Sequence, residues 1–295
     1  MNEPSLPATE AANARTRGLD LLSASELVAL LADENVMAAE AVRAATPAIA
    51  RVVDAIVERL RMGGTLHYVG AGTSGRLAML DAAECPPTFG TPPTLVVAHV
   101  AGGPAALVRA VEGAEDDGDA GAAEVRAHVR RTDAVVGISA SGGAPYVVAA
   151  VAAARTLGAL TIGLTSVAAS SLARGSDLAI VVETGAEPIA GSTRLKAGTA
   201  QKLVLNALST ATMVRLGRTY DNVMVDVVAT NAKLQARALR LVGSLAGIDE
   251  ASAGALLAAA GGSVKVAVVM AARAVDAEAA RELLAGSGGF LRAVL

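Results

Sequence analysis

Apolar positions change their spacing along this chain, and the changes mark its elements. Residues 20–62 read as helices. Ser23 and Glu26 stand at capping-box spacing ahead of LVALL. Thr46-Pro47 reads as an N-cap followed by a first-turn proline. The helix that follows carries IARVVDAIVERL and is expected to stop at MGG (62–64).

From residue 65 the pattern alternates. TLHYV (65–69), TLVVAHV (94–100), DAVVGIS (133–139), LTIGLT (160–165) and LAIVVE (178–183) are short runs rich in Val, Leu and Ile. Helical stretches such as ALVRAVEGAEDD and PYVVAAVAAARTLG separate most of them. Continuous apolar strands alternating with helices predict an α/β fold with a parallel sheet covered on both faces. Such a sheet takes its ligand at the carboxyl ends of its strands. Past TYDNVMVDVV the strand signals end. DEASAGALLAAAGG, SVKVAVVMAARA, DAEAARELLAGSGG and FLRAVL read as short helices, each starting near Asp or Ser and most ending at Gly. The expected organisation is an N-terminal helical segment (1–51) packed on the core and a sheet-bearing domain (52–220). A helical linker and small C-terminal helical domain (221–295) complete it.

Composition narrows the function classes. The chain has 295 residues, 53% hydrophobic and 18% charged, enough for a sizeable core and not suggestive of disorder. Aromatics at 2%, without tryptophan, argue against a stacking platform for single-stranded nucleic acid. A formal net charge of −3 offers no footprint for DNA or an anionic membrane. A single cysteine, Cys85, excludes an internal disulfide and a cysteine zinc cluster. The N-terminus lacks a basic-then-apolar signal layout. The longest apolar stretch, YVVAAVAAARTLGALTIGL, is broken by Arg155 and two glycines, so a soluble, cytoplasmic protein is expected.

The candidate chemistry begins at Gly70-Ala-Gly72-Thr-Ser-Gly75, which satisfies the G-x-G-x-x-G dinucleotide pattern after a strand. A dinucleotide site needs an acidic residue at the end of the second strand, and TLVVAHV runs into AGGPAA without one. Gly72, Thr73 and Ser74 suit a phosphate monoester better, with hydroxyls beside the free N–H groups of a helix start. A second loop, SASGG (139–143), offers Ser139, Ser141 and Gly142 in the same strand-to-helix setting. Two such loops can close on one phosphate. A phosphorylated small molecule is the expected ligand.

Longer blocks carry a resemblance. VGAGTSGRLAMLDAAECPPTF, VEGAEDD, SGGAPY, GSTRLKAGTAQK, TYDNVMVDV and NAKLQARA, with TEAANARTRGLD near the start, resemble the N-acetylmuramic acid 6-phosphate etherases. These have the sugar isomerase (SIS) fold, an αβα phosphosugar-binding sandwich, and are similar to glucokinase regulatory proteins. The resemblance implies a homodimer and no metal or cofactor. It also implies a lyase that splits the ether between D-lactate and C3 of N-acetylmuramic acid 6-phosphate, in cell-wall sugar recycling. A non-catalytic phosphosugar sensor and an aldose–ketose isomerase are the alternatives on this fold. The chain departs from the family at TSVAAS, where a Cys-Asn pair is usual, and at Gly143 and Ala144, where Arg and Thr are usual. It departs again at Ala186 and Pro188, often Pro and Val.

An alkyl ether is a poor leaving group, so elimination needs a base at C2 and an acid at the departing oxygen. The resemblance points to Glu84 as the acid and Glu115 as the base. It also brings Glu187 and the loop of Ser192, Thr193 and Lys196, whose ammonium could neutralise phosphate or a developing oxyanion. On spacing alone EGAEDDGD is a solvated charge run and Lys196 a surface lysine. Glu84 reads as the end of its helix. Ten residues past Ser74 it lies about 15 Å along a continuous helix, so either the helix breaks or Glu84 serves a partner subunit's site. The histidines His67, His99 and His128 lie far apart without metal-ligand spacing and are expected to be structural.

Overall fold

The computed structural model describes residues 8–227 and 232–295, so the first seven residues of the expected N-terminal segment and four of the expected linker lie outside the description. The described chain divides into two units, Met1–Ala82 with Thr94–Ser209 and Ala83–Pro93 with Thr210–Leu295.

In the first unit, three single-turn 3-10 segments lead into α1 (Ala24–Ala44) and α2 (Thr46–Arg61). The Ser23–Glu26 capping box forms as expected. Thr46 is not the N-cap of α2; Ala45 is, and the Thr46 hydroxyl instead donates to the Arg43 carbonyl at the end of α1. The two helices follow one another so closely that one hydroxyl serves the first helix's last turn.

Next come β1 (Leu66–Gly70), α3 (Gly72–Phe89), β2 (Val96–Val100), α4 (Gly118–His128), β3 (Ala134–Ile138) and α5 (Pro145–Thr156). Then follow β4 (Leu160–Thr165), α6 (Ser171–Gly175), β5 (Leu178–Val181) and α7 (Lys196–Arg215). All five apolar runs become strands of one parallel sheet in the order β2-β1-β3-β4-β5, flanked by helices. Every residue of β1 and β3 is buried, which is why those runs show no polar alternation. On one face Val69, Val125, Val135, Val147 and Val151 share a core. The buried Asp81 carboxylate of α3 accepts from Tyr68, Asn206 and Ser209, joining α3 to β1 and α7.

The expected helix over ALVRAVEGAEDD does not form. Those residues make 3-10 segments, Gly103–Leu107 and Ala114–Asp116, separated by a turn with Gly113 at φ +73. The crossover helix α4 starts only where Asp117 accepts the Ala120 N–H, because a capping side chain outweighs weak helical periodicity.

The second unit has its own core. A two-stranded hairpin of β6 (Thr219–Tyr220) and β7 (Val223–Met224) turns through Asp221 at φ +52. The helices α8 (Ala232–Ala246), α9 (Glu250–Ala259), α10 (Val264–Arg273) and α11 (Ala277–Gly286) follow. Asp249, Ser263 and Asp276 cap α9, α10 and α11, as the sequence leads one to expect. α10 is the central helix, with Val264 through Met270 all buried. No single helix among the described residues is long and apolar enough to cross a membrane.

Candidate active site

The strand order reverses at β1: the chain leaves it for β2 on one side and returns to β3 on the other. Ligands of open parallel sheets bind at such a switch point. Gly70 pairs with Ile138, so the loops after β1 and β3 start side by side. The first loop is tight. A Cβ on Gly70 would lie 2.7 Å from the Gly75 nitrogen, and one on Gly75 would lie 2.7 Å from the Gly70 carbonyl oxygen. The two glycines thus allow α3 to start directly against the end of β1, with its first-turn N–H groups facing outward.

Between the loops lies a cavity of about 510 Å³. Gly72, Thr73 and Ser74 line one side, and Ser139 and Ser141 the other. Ser139 Oγ accepts the Gly142 N–H at 3.1 Å, Ser141 Oγ accepts the Gly143 N–H at 3.3 Å, and the two hydroxyls lie 3.5 Å apart in a mutual hydrogen bond, so both are held in place. Ser74 is buried and donates to Gln201 Oε1 of α7 at 2.9 Å. The 3-10 turn Ala114–Asp116 brings Glu115 and Asp116 to the wall, and Thr193 closes it from the loop before α7. Glu115 also borders a smaller neighbouring pocket of about 140 Å³ that contains Arg76. Glu115 is exposed, at a rim where the two cavities meet.

Five of the expected residues lie outside that wall. Gly142 sits behind it at φ +66, and Ser192 lies in the turn ahead of Thr193. Glu187 is completely buried, and its carboxylate accepts the backbone N–H groups of Lys196 and Ala197 at 2.8 and 2.9 Å. It therefore caps α7 and compensates that helix's dipole. Lys196 is buried too, its Nζ 2.8 Å from Glu34 Oε2 and 3.2 Å from the Ala186 carbonyl. Burial alone would raise the Glu34 carboxyl, but Lys196, Asn13 and Arg15 outweigh it and hold the group below the usual carboxylate range. Glu84 is exposed and belongs to the helical unit. It does not end α3, which continues through Pro86 and Pro87 to Phe89 without a break.

Curated relatives match nearly the whole chain. N-acetylmuramic acid 6-phosphate etherases of Salmonella typhi and Salmonella typhimurium strain LT2 are each 49% identical over 288 residues, covering 97% of both chains. The chain belongs to the N-acetylmuramic acid 6-phosphate etherase family. Residues 48–155 match the glucokinase regulatory protein N-terminal SIS domain, and residues 113–211 match the SIS domain. A phosphoheptose isomerase from Francisella tularensis shares the fold at TM-score 0.53 and 23% identity, covering 65% of this chain and 98% of its own.

Within this etherase-family chain, two of the departures noted in the sequence fall on the cavity. Gly143 and Ala144, in place of the usual Arg and Thr, both line it and leave it wider and less charged. Sequence reasoning missed two further residues. Glu10 reaches the cavity because the Gly191 N–H donates to the Thr9 carbonyl at 3.1 Å, pinning the N-terminal turn there. Gln201 holds Ser74 from α7, and the only signal for it was its place in the block GSTRLKAGTAQK. The expectation of scattered histidines is corrected: β1, β2 and α4 bring all three together. His67 Nδ1 lies 2.9 Å from His99 Nε2, and the His99 and His128 rings are 5.4 Å apart. Burial lowers His67 to about 4, and burial likewise pushes His99 below the usual imidazole range.

Proposed function

We propose that the chain cleaves the D-lactyl ether of N-acetylmuramic acid 6-phosphate, in the cytoplasm and as a homodimer, giving N-acetylglucosamine 6-phosphate and D-lactate. The observation that carries this reading is the joining of both serine loops and Glu115 around one cavity at the switch point, in a chain of this family. The 6-phosphate sits between the α3 N-terminus and Ser139 and Ser141, which fixes the sugar's reach. With the ring open, the C1 aldehyde acidifies the C2 proton. Glu115 removes it, and the electron pair forms the C2–C3 double bond as the C3–O bond breaks. Glu84 gives its proton to the lactate oxygen. Water then adds at C3 while C2 regains a proton, so the atoms balance without any redox step. The unbroken α3 supports a supply of Glu84 from the partner subunit.

Incubation with the muramic acid phosphate in ¹⁸O water tests the reading. D-lactate should appear without label, and the new C3 hydroxyl should carry ¹⁸O. Binding without lactate release would identify a sensor, and a ketose formed without lactate would identify an isomerase.

A further inference from the structure

Away from the phosphate cavity, β2 and α4 assemble a cluster that the proposed reaction does not use. His99 Nδ1 lies 2.8 Å from Glu124 Oε1, and His128 Nδ1 lies 3.5 Å from the same oxygen. One ligand atom from each of the three residues falls within 4.8 Å of the others. Glu124 and His128 are four residues apart on α4 and so share a helix face, while His99 reaches them from β2. In a tetrahedral site with metal bonds of 2.0–2.1 Å, donor atoms stand about 3.4 Å apart. The 2.8 and 3.5 Å contacts bracket that spacing, and to coordinate through Nδ1 the His128 ring would exchange its 2.9 Å contact with the Glu124 carbonyl for the metal.

We propose that His99, Glu124 and His128 bind a transition-metal dication of the zinc class, leaving one coordination position open.

Behind the cluster, a row of groups runs from the fully buried Asp133 through His67 and His99 to Glu124. His99 Nε2 lies 2.9 Å from His67 Nδ1, so the second nitrogen of this ring is held from behind by a buried imidazole. A histidine whose second nitrogen is anchored to an imidazole–carboxylate chain is the outer-shell arrangement of metal-bound histidines.

Access is present as well. A cavity of about 490 Å³, bounded by His99 and Glu124 with Pro104, Leu107 and Tyr146, adjoins the cluster and can admit a water or small anion to the open position. A donor set of two imidazoles and a carboxylate fits zinc.

The test uses the full chain, stripped with a chelator. Cobalt is titrated by visible absorption and zinc by calorimetry and competition. One equivalent of cobalt should bind with the intense visible bands of a four- or five-coordinate site, and zinc should displace it. His128→Ala and Glu124→Gln should each weaken zinc at least tenfold, with circular dichroism unchanged. His67→Gln, which touches no metal, should weaken it about 10–100-fold through the outer shell. Lactate release by the stripped protein should persist, so failure here and failure of the etherase reading are separable. Absence of saturable binding at millimolar zinc would overturn the proposal, as would equal binding by the His128→Ala and Glu124→Gln proteins.

Discussion

Glu115 and Lys196 show how far a residue's neighbours decide its role. Glu115 lies in a charge run that reads as solvated surface, yet a 3-10 turn sets it on the rim of the cavity. As the proposed base at C2 it should matter to the rate and little to the fold. Glu115→Gln is expected to lower kcat about 10²–10⁴-fold with KM and melting temperature nearly unchanged, measured by D-lactate release and calorimetry. An unchanged kcat would remove it from the base role. Lys196, expected near phosphate, is instead paired with Glu34 where their side chains are 2% and 1% exposed. Removing one member of a buried pair strands the other charge, so Lys196→Met should cost about 3–5 kcal/mol in urea unfolding. A Glu34→Gln change in the same chain should restore part of that. A lysine serving phosphate alone would raise KM and leave the unfolding midpoint in place. Sequence could not reveal this pair, because its members lie 162 residues apart and meet only when α1 packs against the start of α7.

Elements were legible in proportion to their own local signals. The five strands of the sheet stand where the apolar runs place them, and the Ser23–Glu26 box and the Asp249, Ser263 and Asp276 caps all form. Both serine-bearing turns stand where the sequence places them, because glycine and serine after a buried strand have a local mechanical meaning. The failures arose where a competing signal won, as when Asp117 moved the crossover helix past ALVRAVEGAEDD. They also arose where contacts are wholly non-local, as for Glu10 against Gly191 and for the three histidines. The second serine loop provides a test at this scale. A Cβ on Gly142 would press into the Ser170 hydroxyl and lie 2.7 Å from Thr165 Oγ1, at a φ of +66 that side chains disfavour. Gly142→Ala should therefore cost roughly 1–3 kcal/mol from overpacking alone and displace Ser139 and Ser141. Lactate release would fall through weaker substrate binding. The neighbouring change Gly143→Ala is the control, since a Cβ there meets only Ser141 Oγ at 3.8 Å and should be tolerated.

At the scale of the molecule, the two proposed carboxylates belong to different units, Glu115 to the sheet unit and Glu84 to the helical one. α3 runs unbroken from Ser74 to Glu84, so Glu84 is carried about 15 Å along the axis from Ser74. The carbon–oxygen bond of a sugar held by its 6-phosphate lies much closer to that phosphate than 15 Å. A symmetric dimer resolves the mismatch if each subunit lends its Glu84 to the other's cavity, since a two-fold interface repeats every contact twice. Mixing subunits tests this directly. Glu84→Gln and Glu115→Gln proteins are each expected to be nearly inactive alone. When they are denatured together, refolded and allowed to pair at random, half of the dimers are mixed. In every mixed dimer a shared arrangement leaves one site with both carboxylates and the other with neither. Activity should then recover to roughly a quarter of the unmodified protein's, with size-exclusion chromatography confirming that mixed dimers form. If Glu84 serves its own subunit, each site in a mixed dimer still carries one lesion, and mixing restores nothing.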